Sequence, residues 1–174
     1  KFKIELINFK PDFIFHLAAQ PLVLESYKDP KKTFETNFNG TLNLLEILRQ
    51  STFKSTAIIV TTDKVYENHN LNLPFNEKDR IGGKDPYSSS KAASELLIKS
   101  YYLSFFKDSN INIASARAGN VIGGGDWSED RLIPDIVRAV FEDKSLVIRN
   151  PLSTRPWQHV LESLSGYLML ANNL

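Results

Sequence analysis

Short runs of β-branched and aromatic residues alternate along the chain with longer stretches of helical spacing, and few folds accommodate that alternation. The runs are Phe13 to Leu17, Thr56 to Thr61, Ile111 to Ala116 and Leu146 to Ile148. Between the first two, Asp29-Pro30 opens a helix, with Asp as its cap and Pro in its first turn. Its apolar stripe is Phe34, Phe38, Thr41, Leu42, Leu45 and Leu48, ending near Gln50-Ser51. Asp85-Pro86 opens a second long helix through Ala92, Ala93, Leu96, Leu97 and Tyr101 to about Phe106. The spacing also predicts helices over Leu132 to Phe141 and at the two ends of the chain, through Phe2, Ile4, Leu6 and Ile7 and through Gly166 to Leu174. Gly119 to Gly125 reads as a glycine-rich turn. Strands joined through helices of this length make right-handed crossovers and therefore a parallel sheet. The fold class is α/β, of doubly wound type. One polar segment, Glu67 to Asp85, is punctuated by Pro74, Gly82 and Gly83, and a loop that long in a compact domain is usually functional.

Composition removes several classes of function. With 42% apolar and 24% charged residues in 174, the chain is an ordinary globular one, neither disordered nor repetitive. Twenty-one Lys and Arg against twenty Asp and Glu leave a net charge of +1 with no charged block, so nucleic acid and anionic membrane are not expected partners. Apolar runs such as Ala57 to Val60 fall far short of the roughly 20 residues of a membrane span. The absence of cysteine excludes disulfide frameworks and thiolate metal sites and favours a cytoplasmic enzyme without a metal. Lys1 to Glu5 lack the apolar segment of a secretory signal. Without an initiator Met, and with a last helix that stops short, the expectation is a fragment.

Tyr87-Ser88-Ser89-Ser90-Lys91 carries the strongest chemical signal. A Tyr and a Lys four apart share one helix face and can share one substrate oxygen or ribose. Using a phenol as a base near neutrality requires stabilising the phenolate by roughly 4 kcal/mol, which the Lys91 ammonium and a cationic cofactor ring would supply. The competing reading is a surface helix that carries the pattern by chance. Thr61-Thr62-Asp63-Lys64 sits where the preceding strand ends, the place where ligands lie in open α/β sheets; the same residues could instead form a solvated turn with Thr and Asp as caps. His16 to Gln20 ends the first strand with small residues that let a cofactor approach the backbone, while His16 itself is better read as a satisfied core or edge histidine. Asn37 is placed to brace the strand that carries the site, and Gly40 to permit close helix packing.

Taken in order, His16-Leu17-Ala18-Ala19-Gln20, Thr36-Asn37-Phe38-Asn39-Gly40-Thr41, Thr62-Asp63-Lys64 and Tyr87 to Lys91 resemble the extended short-chain dehydrogenase/reductase superfamily. Three longer strings narrow the resemblance to its CDP-glucose 4,6-dehydratases: Thr62 to Asn68, Ala116 to Trp127 and Arg155-Pro156-Trp157-Gln158-His159-Val160. It runs from about Pro11 to Leu174. It implies a Rossmann-type fold with a small substrate-binding lobe, NAD as cofactor and a nucleotide-sugar substrate. In that reaction Tyr87 takes the C4 hydroxyl proton as hydride leaves C4, Lys91 holds the nicotinamide ribose, and Thr62 polarises the sugar oxygen. Asp63 is then the acid at the departing C6 hydroxyl. In the related dTDP-glucose enzymes the next residue is a Glu acting as base at C5. Here it is Lys64, the departure typical of the CDP branch. Lys64 either accepts the C5 proton, for which it must be neutral, or stabilises the charge of the enolate while another group takes the proton.

The resemblance further implies that Ala18, Ala19, Gln20, Asn37, Thr61, Tyr87, Lys91 and Val121 bind the cofactor. Asn120, Arg131, Leu132 and Arg155 would bind the nucleotide sugar, Arg155 with the fork geometry that suits a diphosphate. Trp127 and His159 stay open between pocket wall and core. Residues 1–118 would form an incomplete NAD-binding domain and 119–174 the start of the sugar-nucleotide lobe, interleaved with late Rossmann elements. The glycine fingerprint and the acidic ribose reader of such a domain are not in the sequence, so the expectation is a fragment lacking the first βαβ units. A homo-oligomer, dimer or tetramer, is implied in the same way. A nucleotide-sugar 4-epimerase, another hexose dehydratase and a non-catalytic nucleotide-binding scaffold are the rival readings.

Overall fold

A computed structural model describes residues 1–69 and 73–174; positions 70–72 of the Glu67 to Asp85 segment lie outside the described residues. Three parallel strands, β1 (Phe13–His16), β2 (Ser55–Val60) and β3 (Ile111–Ala116), form a sheet in the order β1-β2-β3. In register, Phe13 faces Thr56 and Ser55 faces Ile111. The central strand β2 is buried along nearly its whole length, as its unbroken Thr-Ala-Ile-Ile-Val run requires.

Helices cover the sheet. α1 (Phe2–Phe9) precedes β1, and α2 (Val23–Lys28), which the periodicity does not mark, follows it. α3 (Pro30–Phe34) and α4 (Gly40–Arg49) form one continuous helix interrupted by a π-turn at Glu35–Asn39. α5 (Pro86–Tyr101) runs into a second π-turn, Tyr102–Phe106. Both long helices begin as expected. Asp29 accepts the Lys32 N–H at 2.9 Å. Asp85 accepts the Ser88 N–H at 2.9 Å, while Ser88 Oγ accepts the Asp85 N–H at 3.1 Å, a reciprocal capping box. Leu44, Leu45 and Leu48 of α4, Ala57 and Ile59 of β2, Ile98 of α5, and Phe106, Ile111 and Ile113 form the core between helices and sheet. Ile58, of opposite parity and fully buried, belongs to the other face, and α7 (Val160–Asn172) packs on β2.

Several expectations fail for physical reasons. Leu146 to Ile148 is not a strand: Val147 is 83% exposed, and the segment pairs with no other strand among the described residues. Instead β5 (Trp157–His159) pairs in parallel with β4 (Asn120–Ile122), a strand that lies inside the expected glycine turn. α6 (Leu132–Phe141) forms where its spacing places it. Along α3–α4 the buried positions are Thr33, Asn37, Thr41, Leu44, Leu45 and Leu48, while Phe34 is exposed and Phe38 only half-buried. The π-turn inserts a residue into the helical count and rotates the face before it. Gly40 is not a close-packing position, since a Cβ there would meet nothing within 4 Å. On α5, Leu96 is 60% exposed, and the buried face carries Tyr87, Lys91, Ser94 and Glu95 instead.

The close approach lies at Gly83, where a Cβ would stand 2.2 Å from the Ser89 nitrogen. The loop thus rests directly on the first turn of α5, with the Gly83 carbonyl accepting the Ser89 hydroxyl at 3.0 Å. Backbone cannot yield as a flexible side chain does. Gly83→Ala is therefore expected to cost about 3 kcal/mol, read as a lower denaturation midpoint of the full-length protein; an unchanged midpoint would show that the loop moves away freely.

Candidate active site

β2 gives out at Val60, and the two residues beyond it, Thr61 and Thr62, remain buried. Their backbone stays tied to the neighbouring strand end: Thr61 N donates to Ala116 O at 2.8 Å and Asp63 N to Ala118 O at 3.0 Å. The chain then turns through a single 3-10 turn, Asp63–Val65, capped by Thr62, whose Oγ1 accepts the Lys64 N–H at 3.3 Å. Thr62 Oγ1 also donates to Asp63 Oδ1 at 3.1 Å.

Against this corner lies one face of α5, residue against residue. The Tyr87 phenol lies beside the Thr62 hydroxyl, which favours its phenolate form. Lys91 Nζ donates to the Val60 carbonyl at 3.0 Å. Glu95 accepts the Thr61 hydroxyl. Lys64 is exposed, and its Nζ stands 5.9 Å from the centre of the Tyr87 ring. Thr62, Asp63, Lys64, Tyr87 and Lys91 are thus gathered at one point, at the carboxyl end of the central strand. A solvated turn would not bury its two threonines.

The electrostatics differ from expectation at one position. Burial pushes the Tyr87 phenol up rather than down; the Thr62 hydroxyl and the Arg131 guanidinium oppose that rise, and the Asp63 and Asp85 carboxylates add to it. The Lys91 amine is instead directed at the strand backbone. Burial pushes Lys91 down to about 8, with Glu95 resisting. Burial, then Lys91, hold His16 below its usual value, so it is neutral near pH 7; it stands half-buried at the end of β1, not enclosed in the core.

Asn37 ties the loop after β1 to α5. Its Oδ1 accepts the Gln20 N–H at 2.8 Å, and its Nδ2 donates to Gln20 O at 3.1 Å and to Ser90 Oγ at 2.9 Å. The Gln20 side chain closes the same loop, donating to Thr33 Oγ1 at 2.9 Å and accepting the Leu22 N–H at 2.6 Å. Every side-chain polar group of the two residues is thus used. Ala18 is exposed and Ala19 half-buried at the strand end. Thr61 spends its hydroxyl on Glu95.

Of the later residues, Arg131 caps the start of α6, pairs with Asp126 at 2.9 Å and acts on Tyr87. Leu132 follows it, 40% exposed. Asn120 and Val121 lie on β4, half-buried and exposed respectively. Arg155 is exposed, its guanidinium turned onto the Thr154 carbonyl at 2.6 Å. Trp127 and His159 are both exposed, so neither is core; His159 Nδ1 accepts the Leu161 N–H at 3.3 Å and caps α7.

Sequence reasoning missed the acid that completes the face. Glu95 follows Lys91 by four residues, as Lys91 follows Tyr87, and that spacing was the available signal. Its partner Arg117, immediately after β3, pairs with it at 2.9 Å. Ser26, fully buried, accepts the Tyr87 N–H at 3.2 Å and steadies the start of α5. Among the described residues, no group of three or more His, Asp or Glu side chains could hold a metal, and no helix is long and apolar enough to cross a membrane.

Known proteins share this arrangement of elements. The chain is 47% identical over its whole length to CDP-glucose 4,6-dehydratase of Salmonella typhimurium, covering 50% of that protein. It is 32% identical to dTDP-D-glucose 4,6-dehydratase of Dictyostelium discoideum, over 91% of this chain and 38% of the relative. A solved structure of a dTDP-glucose 4,6-dehydratase double mutant from Streptomyces venezuelae, with NAD and DAU bound, superposes with a TM-score of 0.85 at 25% identity, covering 97% of this chain and 50% of that one. The chain spans half or less of each of these proteins. The family described as GDP-mannose 4,6 dehydratase matches residues 4–173, and a match of that extent on a common fold places the chain: it belongs to the GDP-mannose 4,6-dehydratase family.

Proposed function

We propose that the protein carrying this chain converts CDP-glucose to CDP-4-keto-6-deoxyglucose, with NAD as its resident cofactor. The observation that carries the proposal is the stitching of Tyr87 and Lys91 to the strand end beside Thr62, Asp63 and Lys64. The 47% identity to a CDP-glucose 4,6-dehydratase supports the choice of substrate.

The donor set fits the nicotinamide end of NAD. Lys91 is 6% exposed, its amine spends one donor on Val60 O, and no carboxylate lies within ion-pair distance among the described residues. Two of its three N–H donors therefore remain for a ribose. The small residues Ala18 and Ala19, Thr61, and Val121 would line the same approach, with Gln20 and Asn37 holding its loop. When bound, NAD would take up hydride from C4 and return it at C6.

The residues of the chain do the rest. Tyr87 accepts the C4 hydroxyl proton as phenolate, a form that burial disfavours and that the Thr62 hydroxyl and Arg131 favour. Thr62 hydrogen-bonds the same sugar oxygen. The 4-ketone makes the C5 proton acidic, Asp63 protonates the departing C6 hydroxyl, and Lys64 serves at C5, as base or as counter-charge to the enolate. Asn120, Arg131, Leu132 and Arg155 bind the nucleotide diphosphate from the 119–174 lobe, and residues 1–118 belong to the NAD-binding domain. A cytoplasmic location and a homo-oligomer complete the proposal; Leu96 and Leu103, both well exposed along one helix, are surface such an assembly would cover.

Incubating the full-length protein with CDP-glucose is expected to yield the 4-keto-6-deoxy product, seen by its absorbance in alkali; an epimerised sugar, or none, would overturn the reading. Lys64→Ala is expected to leave C4 oxidation intact, visible as NADH, while stopping elimination. Normal turnover in that variant would remove Lys64 from the chemistry.

A further inference from the structure

Glu95 is a carboxylate buried to 5% exposure, in a face otherwise assigned to Tyr87 and Lys91. Its oxygens are fully engaged. Arg117 grips it through Nε at 3.1 Å and Nη2 at 2.9 Å, Ser115 Oγ donates at 2.8 Å, and the Thr61 hydroxyl donates from the strand end. The guanidinium is itself held, 5.0 Å over the Tyr66 ring, which stacks on Phe75 at 4.8 Å. Three consecutive residues of the β2 end, Val60, Thr61 and Thr62, therefore meet Lys91, Glu95 and Tyr87 in turn. A rigid pair of this kind costs desolvation and need not add net stability, which points to a role in the site.

We propose that Glu95, fixed by Arg117, is a positioning residue for the candidate site: it locks the end of β2 to the helix face bearing Tyr87 and Lys91 and sets a buried negative charge one helical turn from the Lys91 side chain. The proposal rests on the reading of Tyr87 and Lys91 given above. The titratable groups acting on Lys91 are Glu95 from its own helix and His16 from β1, and His16 is neutral near pH 7. Glu95 is thus the acid that opposes the burial of Lys91. It does not touch the reacting atoms.

The test follows the Lys91 side-chain resonance against pH in the full-length protein, assigned by its loss in Lys91→Arg, together with NAD affinity over the same range. In Glu95→Gln the midpoint of Lys91 is expected to fall by about one pH unit, a tenfold weaker hold on the proton, and above that midpoint NAD should bind about tenfold more weakly. Glu95→Asp, which keeps the charge, should restore most of both. Should Glu95→Gln fail to fold because Arg117 is left unpaired, the double variant Glu95→Gln/Arg117→Met removes both charges and should show the same displaced midpoint. An unmoved midpoint in either folded variant, or a Glu95→Asp protein that titrates like Glu95→Gln, overturns the proposal. A displaced midpoint in a protein that gives no dehydration product would remove the dehydratase reading and leave the role of Glu95 standing.

Discussion

Lys91→Met in the full-length protein is expected to melt at a higher temperature than the parent at neutral pH, and to turn over at least about a hundredfold more slowly. Burial is the largest influence on this amine and lowers it to about 8, against an ordinary value of 10.5. Below pH 8 both folded and unfolded chains carry the proton, and the folded state bears the cost of a charge held in the interior. Between about 8 and 10.5 the unfolded chain binds more protons than the folded one, so stability rises with pH through that window and levels above it. Integrated over the window, the rise is on the order of 3 kcal/mol. Met fills the same volume without the charge and should show neither the cost nor that rise. Tyr87 works in the opposite direction: its raised phenol binds protons more tightly in the folded state, which lowers stability as pH climbs past 10. The difference between parent and variant melts from pH 7 to 10 isolates Lys91. Parallel curves would mean that the amine is effectively solvated, and full activity in the variant would remove it from the site. A residue that weakens the fold in order to act is what a functional site tends to hold.

The legible parts of this molecule were those decided locally. Asp29-Pro30 and Asp85-Pro86 start helices because cap and first turn are neighbours in sequence, and both behaved as expected. Ile111–Ala116 was readable as a strand from residue type alone. The juxtaposition of Thr62 with Tyr87 followed from topology, since a strand end and the next helix start meet on the same side of a parallel sheet. What stayed hidden depends on distant partners. The stripe through Phe34 and Phe38 assumed an uninterrupted 3.6-residue period, and the π-turn at Glu35–Asn39 broke it. Leu146 to Ile148 has strand-forming residues but stays exposed and unpaired, while Trp157–His159 pairs with β4. The Tyr87 phenol was expected to be drawn down by Lys91, but the amine faces Val60 instead and burial prevails. Glu95 was legible only as one more charge on a helix until Arg117, 22 residues on, came to meet it.

Asn37→Ala should be among the most damaging single truncations in the described residues, even though Asn37 touches no reacting group in the proposed chemistry. The side chain is 1% exposed, and the π-turn aims its amide between the loop after β1 and the start of α5. Removing it leaves the Gln20 N–H and C=O without their partner and frees Ser90, itself fully buried, from one of its two bonds. Each buried polar group left unpaired costs about 1–3 kcal/mol, and Gln20 is half-buried, so water recovers part of the loss. A net cost of about 3 kcal/mol is expected, a large share of the roughly 5–15 kcal/mol that holds a domain together. Asn37→Asp distinguishes hydrogen bonding from packing. At neutral pH the carboxylate still accepts from Gln20 N but cannot donate to Gln20 O or to Ser90, so it should be nearly as damaging as Ala. On acidification the protonated acid regains one donor, and stability relative to Asn37→Ala should recover. Denaturation midpoints of both variants at two pH values measure this, with NAD affinity alongside, since the 17–22 loop loses its tether to the Tyr87 helix. If Asn37→Ala unfolds at the parent's midpoint, the loop is held by its other contacts and the polar helix face serves some other end.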